Sequence, residues 1–218
     1  MAEPKTDNRA ARRRLRTRAA LLAAAREVFA SQGVGATTIQ DITDAADVAK
    51  GSFYNNFDSK DACLRAVIEE TFAELGRALD MLTEPVRDDA ARVVATSLRH
   101  MLRACVEDPA LGWFILRVGN LISMGGLAVG VYGRRDIQRG LDSGRFHFDD
   151  LEIIYTMIGG GAEALMRRRL EGELPAEAEV TFTAHALRLL GIPDDEAEAI
   201  ANEELSAIDL PLPDRSSP

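Results

Sequence analysis

The sequence predicts an all-α fold in two parts: a small N-terminal domain of three short helices, and a larger helical domain joined to it by one long helix. Three observations carry this. Apolar residues recur at spacings of three and four in run after run along the chain. Between the runs fall helix start and stop signals, chiefly Gly, Pro and Ser/Thr/Asp residues. The 218 residues are 46% hydrophobic and 28% charged, a globular composition that supplies a buried core and confines expected disorder to the ends.

In chain order, residues 1–10 lack apolar periodicity and are expected to form a flexible basic arm. Residues 11–60 form the small domain. Leu15, Ala19, Leu22, Ala25 and Phe29 mark one face of a first helix, which Gln32-Gly33 should end near Ser31. Thr37 with Gln40 reads as a capping box starting a second helix near Thr38, with Ile39, Ile42 and Ala46 inward. Asp47-Val48 is the turn, and a third helix, about 49–57, follows. Its sequence KGSFYNNF buries Phe53 and Phe57 four apart and exposes Lys50, Ser52, Tyr54, Asn55 and Asn56. Those ammonium, hydroxyl, phenol and amide groups suit base edges and phosphate oxygens, and Gly51 lets backbone approach a groove wall. Two short helices with a tight turn and such an outer face make a helix-turn-helix. The bland alternative is a surface helix without a partner.

Charge distribution agrees. The net charge is −9, but residues 1–60 carry +3 and the remainder −12. Arg9, Arg12, Arg13, Arg14, Arg16 and Arg18 gather just ahead of the motif, a density that suits phosphates or a minor groove.

Residues 37–64 resemble the DNA-binding domain of the TetR (tetracycline-repressor-like) family, matching its usual pattern at Thr37, Thr38, Asp41, Ile42, Ala46, Val48, Gly51, Ser52, Tyr54, Phe57, Ser59, Lys60 and Leu64. The resemblance covers about the first third of the chain. It implies DNA contacts at Thr38, Gln40, Lys50, Gly51, Ser52, Tyr54, Asn55, Asn56 and Lys60, with Tyr54 and Lys60 on phosphate. It also implies a homodimer on a palindromic double-stranded operator and a small-molecule effector of unknown identity. Three departures stand out: Asp47 at the turn glycine, Ala49 where Ser is common, and Asn55-Asn56 in place of an aromatic-histidine pair.

Residues 61–205 form the larger domain, read as ligand-binding and dimerising. Leu64, Ile68, Phe72, Leu75, Leu79 and Leu82 carry the long connecting helix to Glu84-Pro85. A helix over about 88–106 follows. Asp108-Pro109 opens another, apolar nearly all round and therefore expected at the centre. Trp113, Phe114, Arg117, Asn120 and Met124 on it are the candidate pocket walls, with plain core packing as the alternative. Gly125 to Gly133 reads as a loop leading into a helix over 134–141. A long helix over 148–170 contains Gly159-Gly160-Gly161, which either breaks it or is compensated by close packing. The resemblance places 149–170 and 177–190 at the two-fold interface. A short helix over 194–205 precedes a frayed tail, 206–218.

Other chemistries have little support. Cys63 and Cys105 form no C-x-x-C pair, and no metal is expected. His100, His147 and His185 are scattered, without H-E-x-x-H spacing. Neither a phosphate loop nor G-x-S-x-G occurs, so no cofactor and no catalysis are expected. No apolar run of about 18 residues occurs, so a cytoplasmic protein without membrane insertion is expected. Two rival readings remain: a regulator whose large domain binds a protein partner, and a helical enzyme using Cys105 or His100.

Overall fold

The computed structural model describes residues 5–125 and 129–206, with side chains described for 11–118 and 132–206. Among these residues the fold is all-helical, as the periodicity predicts. It divides into two compact units, Met1–Thr71 and Phe72–Pro218.

The small unit holds α1 (Lys5–Ala36), α2 (Ile39–Ala45), α3 (Lys50–Tyr54) and the first turns of α4 (Lys60–Thr83). Helix α1 begins at Lys5, inside the stretch expected to be a free arm, because its Ala- and Arg-rich sequence favours helix. The expected stop at Gly33 is present as a kink, with φ 81° and ψ 162°, after which one more turn runs to Ala36. The buried face of α1 is Leu21, Leu22, Ala25 and Phe29, whereas Leu15 is 67% exposed. The register read from Leu22 onward holds, and Leu15 lies off it. With Ile42, Phe53, Phe57, Cys63, Leu64, Val67 and Ile68, that face makes the core of the small unit. Each such large side chain contributes about 1.5–3 kcal/mol on burial. Residues 61–71 therefore belong with the small unit, not with the larger one as expected from the motif's end at Lys60.

The large unit takes the rest of α4, a 3-10 turn (Glu84–Val86), α5 (Ala90–Glu107), α6 (Pro109–Gly125), α7 (Val129–Asp142), α8 (Leu151–Leu170), α9 (Ala178–Leu189) and α10 (Asp194–Ala201). Asp108 starts α6 as expected, accepting from the N–H groups of Ala110 and Leu111; Asp89 caps α5 through the Ala91 N–H and Asp150 caps α8 through the Ile153 N–H, two caps that the spacing did not single out. Among the described residues α5 is central, packing against α6, α7, α8, α9 and α10; α6, expected at the centre, packs against α5, α7 and α8, and its side chains at 119–125 lie outside the described residues. The buried Val93, Val94, Leu98, Leu102 and Cys105 of α5 fall within about half of its circumference and face these neighbours. The glycine-rich stretch is helical from Val129 onward, so Gly130 and Gly133 lie in α7 and not in a loop; 126–128 fall outside the described residues. The tail at 207–218 also does.

Helix α8 runs unbroken through its three glycines. A Cβ on Gly161 would sit 2.7 Å from the Phe182 ring of α9, so close packing compensates there. Beside Gly159 and Gly160 there is open space.

Candidate DNA-binding surface and effector cavity

The start of α2 is fixed by a capping box, one residue later than expected. The Thr38 hydroxyl accepts from the Asp41 N–H at 3.2 Å, while the Asp41 carboxylate accepts from the Thr38 N–H at 2.8 Å. The Thr38 backbone N–H, then its hydroxyl, hold the Asp41 carboxyl below the usual carboxylate range. Thr37 is buried and donates instead to the Gly33 carbonyl at 2.7 Å, so it anchors the kink of α1. Gln40 is exposed, its amide donating to Asp44 at 2.7 Å.

The turn closes through Asp47 N–H to Asp44 O and Val48 N–H to Thr43 O, at 3.2 and 3.0 Å. Asp47 has φ 51°, the left-handed conformation for which glycine is suited, so the departure at this position is accommodated with strain. Helix α3 then presents Lys50, Gly51, Tyr54 and Asn55 outward, with Tyr54 53% exposed. A Cβ on Gly51 would meet nothing, so nothing in the small unit obstructs backbone approach there. Ser52 and Asn56 are half-buried, the Asn56 amide donating to the Ser52 carbonyl at 2.8 Å. Phe53 and Phe57 face the core, their rings 5.6 Å apart.

Two arginines of α1 brace this helix. Arg14 donates to the Asn55 carbonyl at 3.1 Å, and the Arg18 guanidinium lies 4.6 Å from the centre of the Phe57 ring. Lys60 also has a structural task that its spacing alone did not reveal: its ammonium donates to the carbonyls of Val34 and Thr37 at 2.8 and 2.7 Å, closing the end of α1.

The large unit contains a cavity of about 190 Å³. Its walls are mostly apolar: Phe72, Leu75 and Leu79 of α4, Val94, Leu98 and Met101 of α5, Ile115 of α6, Ile137 of α7, and Ile158, Ala162 and Met166 of α8. The polar groups converge from α4 and α7. Arg135 donates to Asp80 at 2.9 Å and to Asp136 at 3.0 Å, and its guanidinium lies 5.2 Å from the Tyr132 ring centre. Partial burial pulls the Arg135 pKa down, but the bonds to Asp136 and Asp80 outweigh it and hold the pKa above its ordinary value. Gly76 makes room for Tyr132, whose ring would clash with a Cβ there.

From α6 the cavity takes Ile115, and Trp113, Phe114 and Arg117 are not part of its described wall. Positions 113 and 117 are each two residues from 115, roughly 200° around the helix, so they point away from it. Trp113 is half-buried with the guanidinium groups of Arg117 and Arg167 at 5.7 and 5.8 Å from its ring centre. Phe114 is fully buried in the core. The side chains of Asn120 and Met124 lie outside the described residues. Asp80, Tyr132, Arg135, Asp136 and Tyr155 line the cavity unforeseen. The available signal was Asp80 between the apolar Leu79 and Leu82.

Burial pushes both Cys63 and Cys105 thiols up to about 12, leaving neither as a thiolate nucleophile. No group of three or more His, Cys, Asp or Glu side chains suited to a metal exists among the described residues. No helix among them is long and apolar enough to cross a membrane.

Residues 21–67 match the family model for bacterial regulatory proteins of the tetR family. Residues 89–203, more than half the chain, match the model for a tetracyclin repressor-like C-terminal domain. The chain belongs to the TetR family. Among curated members, this TetR-family protein is 38% identical over 81 residues to the transcriptional repressor DhaR of Mycobacterium sp. strain GP1, covering 37% of this chain and 39% of DhaR. It is likewise 38% identical over 78 residues to the repressor KstR2 of Rhodococcus jostii strain RHA1, spanning 37% of that protein. The chain thus spans well under half the length of these curated relatives in the matched regions. Among solved structures, the TetR-family fold aligns with RolR in complex with resorcinol at 35% identity and a TM-score of 0.69, covering 91% of this chain and all of that one. Ligand-free RolR aligns at 34% identity and 0.66.

Proposed function

We propose that this TetR-family protein is a homodimeric repressor that occupies a palindromic operator and is released when a small molecule fills the α4–α8 cavity. The observation that carries this reading is the division of α4: its first turns build the core beneath the braced recognition helix, and its last turns form a wall of the cavity. A ligand that binds two positions of α4 unequally would bias the recognition helices of the dimer off the spacing of about 34 Å that paired half-sites need. The DNA contacts are Thr38, Gln40, Lys50, Gly51, Ser52, Tyr54, Asn55, Asn56 and Lys60. RolR's crystallisation with resorcinol supports a small ligand over a protein partner for the large domain. The protein acts in the cytoplasm, where a bacterial operator is found.

Fluorescence anisotropy of the purified protein on DNA from upstream of its own gene tests this. Sequence-specific binding is expected, with affinity falling as a power of salt concentration. Lys50→Ala should shift base preference in a selection from random duplexes, at about 1–3 kcal/mol per base pair read. An unchanged preference would remove Lys50, and with it α3, from the readout.

A further inference from the structure

We propose that the effector is a neutral single-ring aromatic carrying two hydroxyl groups, whose hydrogens are accepted by Asp136 and Asp80 in competition with Arg135. This rests on the reading of the cavity as the effector site, and it names the chemistry of that site.

Volume sets the size. A cavity of about 150 Å³ lined by Leu, Ile and Phe is known to hold benzene, and the 190 Å³ here admits one ring with small substituents. The walls set the body of the ligand: Leu75, Leu98, Ile115, Ile158 and Met166 offer dispersion contacts and no hydrogen bonds.

The polar side sets the substituents. Asp80 and Asp136 face one guanidinium, and Glu163 adds a further carboxylate to the lining, so this wall is acidic. Arg135 spends Nη2 on Asp80 and Nε on Asp136, two of its five N–H donors, and is one guanidinium against three carboxylates. Each carboxylate, in contrast, has about four lone-pair sites. The wall therefore asks for donors, and an anionic substituent meets like charge. A hydroxyl donates without charge. An ammonium group would have to shed its water in an apolar chamber beside Arg135, which is far more costly. Asp136 is 8% exposed at its side chain and gives the sheltered, orienting acceptor; Asp80, 44% exposed, gives the rim acceptor. Because the Arg135–Asp80 bond ties α7 to α4, a hydroxyl that takes Asp80 also changes what holds α4 in place.

Calorimetric titration of the full chain with 1,3-dihydroxybenzene, phenol, benzoate, benzylamine and toluene decides it. The diol should bind tightest, with phenol about tenfold weaker for one lost hydrogen bond and benzoate and benzylamine about a hundredfold weaker. Asp136→Asn should weaken the diol at least about tenfold. Asp80→Asn at the rim, where folding is less at stake, should weaken it by a similar factor without altering toluene binding. Benzoate or benzylamine matching the diol, or both variants binding the diol as the parent does, would overturn the assignment. Toluene bound by the parent and not by the cavity-filling Met166→Trp, with no diol preference, overturns the hydroxyl chemistry alone and leaves the cavity standing. A diol that binds as expected yet leaves operator anisotropy unchanged supports the ligand class and removes the effector role.

Discussion

Lys60 has a structural role and, in the proposed function, a second one on DNA. Its ammonium has three N–H donors, and two are spent on the carbonyls of Val34 and Thr37. A third is left for a phosphate. Lys60→Met should therefore cost about 1–3 kcal/mol in stability, read as a lowered unfolding midpoint without DNA, and should reduce the salt slope of operator binding by about one. A variant as stable as the parent would deny the capping role. His100 makes a second residue-scale case. It is 1% exposed, and neither ring nitrogen has a hydrogen-bond partner among the described residues. Burial, followed by the nearby charges of Arg103 and Arg99, pulls its pKa down to about 4. The folded state then keeps His100 neutral while the unfolded chain takes up a proton from about pH 6.5 downward. Stability is expected to fall between about pH 6.5 and 4, by at most about 3 kcal/mol. Denaturant melts of His100→Leu across that range should show a shallower decline; an identical decline would assign it to the carboxylates instead.

At the scale of the element, α8 carries two different faces. Ile158, Ala162 and Met166 turn inward to the cavity and core, and Gly161 receives Phe182. The opposite face shows Ile153 at 59% and Met157 at 50% exposure, with open space over Gly160. Leu189 on α9 is 38% exposed. Two copies meeting through α8 and α9 would bury these apolar side chains and use the space beside the glycines. Met157→Glu should shift sedimentation toward the monomer at micromolar concentration and reduce operator affinity with it. A variant that remains dimeric would move the interface to another face.

For the large unit as a whole, closure depends on Arg145, which reaches Asp89 at the head of α5 at 2.9 Å and Glu196 of α10 at 2.6 Å. These hydrogen bonds hold the Arg145 pKa above its ordinary value and that of Asp89 below its own, even though burial opposes the latter. The cluster joins segments distant in sequence, so its loss should be felt globally. Arg145→Met is expected to destabilise the protein by about 1–3 kcal/mol, measured by thermal or urea unfolding. Unchanged stability would mean that solvent screening cancels the network.

Local signals determined much of this protein. Apolar spacing, capping residues and Pro/Gly stops placed most helices of the large unit, because those rules act over four or five consecutive residues. The buried side of α3 was equally legible from Phe53 and Phe57 four apart, and Lys50, Tyr54 and Asn55 are outward as read, whereas Ser52 and Asn56, expected outward, are half-buried. Tertiary structure decided what depends on chain segments far apart. Whether Thr37 or Thr38 caps α2 was settled by the kink at Gly33, which claims the Thr37 hydroxyl. The roles of Arg14, Arg18 and Lys60 in bracing the small unit needed partners up to 41 positions away. The cavity was the least legible feature. Trp113 and Phe114 have the composition of a pocket wall, but only packing fixes which arc of a nearly all-apolar helix faces the space, and it chose Ile115. Of the groups that give the cavity its chemistry, Asp136 adjoins Arg135 in the chain, but Asp80 meets that guanidinium across 55 residues of sequence, a distance over which no periodicity carries information.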